Sequence, residues 1–200
     1  MLKLGITGNI GSGKSTAARF FKKRGAFVFH ADNESKIHLV KSITLQKKII
    51  RAFGNKVTND VGKLDLKALA EIAFLSPVDQ QILNRIVWPE VFILVEEALK
   101  QAELKGRKLF IVDAALIFEA NLESLFDKIL LIFTNPETRV KRLIKRGDIS
   151  KDQIEKRMQL QMPDEHKKSK TDYAIENDGS LAILRKKLNK IYHEMVESNI

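Results

Sequence analysis

The feature that most restricts this chain is the run Gly8–Ser15, GNIGSGKS, which matches G-x-x-x-x-G-K-[ST] directly after a short apolar stretch, Leu2–Thr7. The pattern demands a strand, a tight glycine-rich turn and a helix opening near Lys14, in that order. Gly8, Gly11 and Gly13 allow positive φ and let backbone N–H groups approach an anion without a Cβ in the way. The following helix turns its positive end to the same place, so a polyphosphate is the expected occupant. Lys14 brings a mobile point charge for β- and γ-phosphates, and Ser15 a hard hydroxyl oxygen for Mg²⁺. The whole turn, Gly8, Asn9, Ile10, Gly11, Ser12, Gly13, Lys14, Ser15 and Thr16, is the expected nucleotide phosphate site. A chance glycine-rich turn is the alternative. The strand before it and the helix after it favour the site.

Downstream, apolar runs alternate with helical periodicity. Ala26–His30, Leu109–Asp113, Lys128–Phe133 and Tyr173–Ile175 read as further strands, and two of them, LFIVD and KILLIF, are near-continuous apolar runs. Such runs suit parallel strands buried on both faces. Between them the sequence predicts helices from Glu34, over Leu64–Phe74, and from Ser76–Pro77 to Trp88–Pro89. A separate helix over Val91–Leu104 is expected next, ended at Gly106. Pro136 opens another, Ser150 with Gln153 forms a capping-box signature for Lys151–Gln161, and Ser180 caps a terminal helix with Leu184, Leu188, Ile191, Tyr192 and Met195 on one face. Alternating strands and helices give an α/β chain with a five-stranded parallel sheet flanked by helices, whose ligands bind at the carboxyl ends of the strands. Gly8–Lys14, Asp32, Asp113–Glu119 and Asn135 all fall there. The stretch 33–107 is too long for a simple crossover and reads as a helical substrate-binding lobe.

Composition narrows the class. The 200 residues are 44% hydrophobic and 30% charged, with no cysteine, so disulfides and thiolate metal sites are excluded. No apolar run is long enough for a bilayer, and the first strand leaves no room for a signal peptide, so a cytoplasmic protein is expected. The net charge of +10 suits polyanionic partners. The basic clusters Lys22–Arg24, Lys167–Lys168 and Arg185–Lys187 are scattered and lack interleaved aromatics, which favours polyphosphates over nucleic acid. As solvated helix faces they would need no partner at all.

Phosphoryl transfer asks mainly for positioning and charge neutralisation. Asp32, one turn beyond the second strand, fits a carboxylate beside an acceptor hydroxyl and equally an N-cap. Asp113 ends an apolar strand where an outer-sphere Mg²⁺ carboxylate would stand, and Glu119 follows in the loop; either is also ordinary polar punctuation. Arg139, Arg142 and Arg146 share one helical face by spacing, as a phosphate clamp or as a solvated basic face paired with Glu137. Arg157 lies in the segment after Gly147 and could close over the nucleotide. The four histidines have no metal-ligand spacing, His30 reading as a packed or partly exposed imidazole. There is no N-K-x-D run, which disfavours a guanine-specific GTPase.

Further segments resemble one family. Gly5–Thr16 (GITGNIGSGKST), His30–Asp32 (HAD), Ala115–Glu119 (ALIFE), Asn135–Arg142 (NPETRVKR), Arg157–Pro163 (RMQLQMP) and Asp172–Ser180 (DYAIENDGS) are similar, in this order, to the dephospho-coenzyme A kinases. The resemblance implies a P-loop NTPase fold with a helical coenzyme A lobe and a small lid, ATP and Mg²⁺ as cofactors, and ATP and dephospho-CoA as partners. It implies a core over 1–32, 105–148 and 170–200, an acceptor lobe over 33–104 and a lid over 149–169. Asp32 would be the base for the ribose 3′-hydroxyl. Lys14, Arg142 and Arg146 would hold the transferring phosphate, Ser15 the metal, and Asn177 and Gly179 the loop near adenine. His30 departs from D-A-D, Ala115 from the usual proline, and Trp88 from the histidine of L-x-H-P.

Overall fold

The apolar runs become the strands of one sheet in the computed structural model, which describes residues 1–147 and 149–197, the side chains of Val196 and Glu197 excepted. β1 (Leu2–Thr7), β2 (Phe27–His30), β3 (Leu109–Asp113), β4 (Lys128–Phe133) and β5 (Tyr173–Glu176) lie in the order β2-β3-β1-β4-β5. All four pairings are parallel, with Ile6 opposite Asp113 and Asp113 opposite His30. The chain leaves β1 toward one edge of the sheet and β3 toward the other. The crevice of such a doubly wound sheet therefore opens beside the carboxyl end of β1.

The helices are α1 (Lys14–Lys22), α2 (Ala31–Lys41), α3 (Ile43–Phe53), α4 (Leu66–Ala73), α5 (Pro77–Leu104), α6 (Pro136–Arg146), α7 (Lys151–Gln159), α8 (Asp164–Lys168) and α9 (Leu181–Glu197). Local chemistry sets several starts. Ser42 accepts from Leu45 N–H ahead of α3, and Asp65 from Lys67 and Ala68 N–H ahead of α4. Asn135 caps α6 with Pro136 in its first turn, and Ser150 and Gln153 close a full capping box on α7.

The chain divides into two compact units. One comprises Met1–His30 and Ala98–Ile200. Its core joins Leu4 and Ile6 of β1 with Ile111, Leu130, Ile132 and Ile175, covered by Phe20 and Phe21 of α1 and Leu184, Leu188 and Met195 of α9. The other unit, Ala31–Glu97, has its own core of Leu39, Leu45, Ile49, Val57, Leu69 and Ala73. Burying each large aliphatic side chain contributes about 1.5–3 kcal/mol, which is what lets short helices hold together.

Three expectations change. The stretch after β2 is helical from Ala31, not Glu34, so Asp32, two residues past the end of β2, lies inside the first turn of α2 rather than ahead of it as a cap. Asp32 and Glu34 there complement the positive helix end, which removes any need for an intervening loop. Trp88–Pro89 does not break the chain into two helices. α5 runs through Pro89 for 28 residues. Pro89 and Arg85 are both exposed, so water can satisfy the carbonyl left without its donor, while buried Val91, Ala98 and Ala102 hold the second half. Finally, α7 stops at Gln159, and a short α8 follows where the sequence signalled only a basic pair.

Candidate active site

The turn after β1 is shaped by collisions that only glycine avoids. A Cβ on Gly8 (φ 146) would strike the carbonyl oxygen of Ile132 and lie 2.7 Å from Ser12 Oγ. One on Gly13 (φ 103) would strike Asn177 Nδ2. Gly13 is also the N-cap of α1, where it brings no side chain to the first-turn N–H groups, and that turn contains no acidic residue. Lys14 is buried next to it, and the described ion pairs do not include it. A helix N-terminus without a side-chain cap and a buried cation outside the described ion pairs are complementary to an anion. Ser15 is exposed one residue further on, and Thr16 Oγ1 accepts from Arg19.

One flank of the turn is stitched to the ends of β4 and β5. Asn177 Nδ2 donates to Ser12 O at 2.7 Å, and Thr134 Oγ1 lies 3.1 Å from the same oxygen. Arg142 donates through Nη2 to Asn177 O at 2.7 Å and through Nη1 to Thr134 Oγ1 at 3.4 Å. Arg142, expected at the phosphate, thus meets Asn177, expected near adenine, and it is Asn177 and Thr134 that touch the back of the turn. Gly179 is exposed in the loop that follows.

The other flank rests on residues 115–119 and 161–167. Thr7 Oγ1 donates to Ala115 O at 3.3 Å, and Lys167 Nζ donates to that oxygen at 3.0 Å. Ala115 contributes a carbonyl oxygen, which proline would supply equally, so the departure at this position costs no contact. Lys167 also pairs with Glu119 Oε1 at 2.9 Å, and this oxygen accepts from Met162 N–H at 2.9 Å. Burial pushes the Lys167 ammonium below the usual lysine range against the pull of Glu119. Ile10 N–H donates to Gln161 Oε1 at 2.8 Å, and Asn9 Nδ2 to Met162 O at 3.2 Å.

The arginine stripe of α6 is not one solvated face. Arg139 is 6% exposed, its backbone packs against Gly11, and its Nη2 lies 3.8 Å from Asp164 of α8. Burial raises the Asp164 carboxyl, opposed by the charges of Arg139, Lys167 and Lys14. Arg142 is half-buried and Arg146 exposed. Arg157 on α7 is held below the usual arginine range by burial and then by the charge of Arg146.

At the end of β3, His30 Nδ1 lies 3.0 Å from Asp113 Oδ2, so the histidine that departs from D-A-D is tied to the buried strand-end carboxylate. Trp88 is half-buried in α5. Gln161, Asp164 and Lys167 had no individual signal in the sequence. Lys167 read as half of a solvated basic pair, yet it is fully buried. Gln161 and Met162 were visible only as part of the RMQLQMP resemblance.

A parallel sheet with a glycine-rich phosphate turn after its central strand, a buried lysine opening the next helix and arginines on α6 and α7 define a P-loop kinase, an ATP-dependent phosphotransferase. The family model described as CoaE, dephospho-CoA kinase, matches residues 2–182. The chain belongs to the dephospho-CoA kinase family, the kinases of coenzyme A biosynthesis. The dephospho-CoA kinase of Aquifex aeolicus is 33% identical over 98% of this chain and 98% of its own. The solved structure of TT1252 from Thermus thermophilus is 33% identical with a TM-score of 0.80, covering 96% of this chain and 97% of that one. The dephospho-CoA kinase from Campylobacter jejuni is 28% identical with a TM-score of 0.66, covering 99% and 98%.

Proposed function

We propose that this site transfers the γ-phosphoryl group of ATP to the ribose 3′-hydroxyl of dephospho-coenzyme A, giving coenzyme A and ADP. The observation that carries the reading is the anion cradle: α1 opens on Gly13 with no side-chain cap, beside a buried lysine outside every described ion pair. Gly8 through Thr16 hold the phosphates, and Lys14, Arg142 and Arg146 neutralise charge as the phosphoryl group moves. Arg142 spends two of its five N–H donors on Asn177 and Thr134, which leaves others for phosphate oxygens. Asp32 takes the proton as the 3′-oxygen bonds to the γ-phosphorus and the bond to ADP breaks. Its support is the family segment HAD and its place two residues after His30 in the chain. The Asn177–Gly179 loop receives the adenine.

The donor chemistry fits Mg²⁺: Ser15 offers an exposed hydroxyl and Asp113 a carboxylate, both hard oxygens. Among the described residues no group of three or more histidines or carboxylates could hold a metal ion. When bound, the ion would neutralise phosphate charge. We further assign the helical lobe around Ala31–Glu97 to the acceptor and residues 149–169 to a lid, with Gly147 (φ 76) closing α6 as its hinge and residues 161–167, tied to Glu119 and Ala115, as its fixed end. No helix of the described residues is long and apolar enough to cross a membrane.

The test is ATP turnover with Mg²⁺ against dephospho-CoA, adenosine, a nucleoside monophosphate and single-stranded RNA. Product phosphorylated at the ribose 3′ position, from dephospho-CoA alone, is expected. Turnover of another acceptor in its place would overturn the reading.

A further inference from the structure

The crest of the phosphate turn is held by a residue outside it. Backbone N–H groups are the working ligands of such a turn, and their directions depend on how its crest is fixed. Ile10 N–H, between Asn9 and Gly11, is taken up by the side chain of Gln161 at 2.8 Å. The adjoining pair, Asn9 Nδ2 to Met162 O at 3.2 Å, doubles the link. These two contacts bridge about 150 residues of sequence, so nothing local imposes them.

The holding segment is itself anchored. Met162 N–H donates to Glu119 Oε1 at 2.9 Å, and Lys167, fully buried, fixes the same oxygen at 2.9 Å. Asn9 is 3% exposed, whereas Gln161 is only half-buried. A half-buried amide that uses one acceptor on one crest N–H contributes little to the core, yet it sets the geometry of the turn.

We propose that Gln161 is a positioning residue for phosphoryl transfer: by accepting from Ile10 N–H, and backed by Met162 and Glu119, it holds the crest of the phosphate turn in its ATP-binding conformation. This rests on the reading of Gly8–Thr16 as the ATP site. Only the acceptor oxygen of Gln161 is used, so Gln161→Met removes the function at similar volume, while Gln161→Glu keeps it.

The experiment pairs two readouts on wild type, Gln161→Met and Gln161→Glu. The first is amide hydrogen exchange of the peptide containing Ile10. The second is the Kd for ATP by calorimetry, with KM for ATP and for dephospho-CoA and the melting temperature measured beside it. Gln161→Met should raise exchange at Ile10 at least tenfold and raise Kd and KM for ATP about tenfold. KM for dephospho-CoA should stay within twofold and the melting temperature within about 3 °C. Gln161→Glu should keep slow exchange at Ile10. Wild-type ATP affinity in Gln161→Met, or Ile10 protection that persists in it, would overturn the proposal. Equal losses for both substrates with a large fall in melting temperature would do so too, since they would mark a structural role only. Failure of the wild type itself to bind ATP would instead overturn the assignment of the turn.

Discussion

At the scale of single residues, the site concentrates charge where water is scarce. Lys14 is buried without a described ion-pair partner, a cost that an incoming polyphosphate offsets. Lys14→Met should therefore lower kcat/KM for ATP by about 100-fold or more while leaving the urea midpoint unchanged or higher. Steady-state kinetics and a denaturation curve on one preparation check both halves. Lys167 is the opposite case, buried but paired with Glu119. Removing one partner of a buried pair strands the other charge, so Lys167→Met should cost about 3–5 kcal/mol in the same denaturation assay. An unchanged urea midpoint would contradict the pairing of Lys167 with Glu119 as a stabilising contact. Sequence reasoning found the first lysine and missed the second for a physical reason. Lys14 sits in a motif whose spacing carries its role, whereas the burial of Lys167 depends on a carboxylate 48 positions away. No local pattern signals such a partner.

At the scale of elements, what the sequence made legible followed its local rules. β1, the glycine turn and α1 stand where the motif requires, and the Ser150–Gln153 capping box opens α7 as its residues predict. The misreadings arose where tertiary packing outweighs a local signal. Pro89 reads as a stop, yet half-buried Leu83, Ile86 and Val87 before it and buried Val91, Ala98 and Ala102 after it keep α5 continuous. α8, five residues long, has too few turns to show a period. Asp172 illustrates an element-level bond: its carboxylate accepts from Ile129 N–H and from Lys128 Nζ, joining the start of β4 to the residue before β5. Burial alone would raise its carboxyl, but the bonds from Lys128 and Ile129 hold it below the ordinary value of 3.8. With the folded pKa depressed, its contribution is present above the unfolded value and is lost as pH falls through the folded one. Asp172→Asn should destabilise by no more than about 1 kcal/mol at neutral pH, since the group is partly exposed, and the difference should vanish below the folded pKa. Urea titrations at pH 7 and in strong acid would reveal a persistent gap if the carboxylate charge were not the cause.

At the scale of the whole molecule, the chain carries a net charge of +10 and two compact units, each with its own core. A basic protein that takes two polyanionic substrates should bind them more weakly as salt rises. KM for ATP should climb several-fold between about 0.05 and 0.5 M ionic strength, where the Debye length falls below 10 Å. A flat salt profile would confine recognition to the desolvated cradle. The cradle belongs to the unit around the sheet, while Asp32 lies at the start of the helical unit. The most direct test is single-turnover transfer from ATP to dephospho-CoA in wild type and Asp32→Asn, with the Kd for ATP measured on each. A fall of about 10²–10⁴ in the transfer rate, 3′-phosphorylated product in the wild type and unchanged ATP affinity are predicted. Transfer at the wild-type rate in Asp32→Asn would contradict the assignment of the base, and no transfer to dephospho-CoA by the wild type would contradict the function itself.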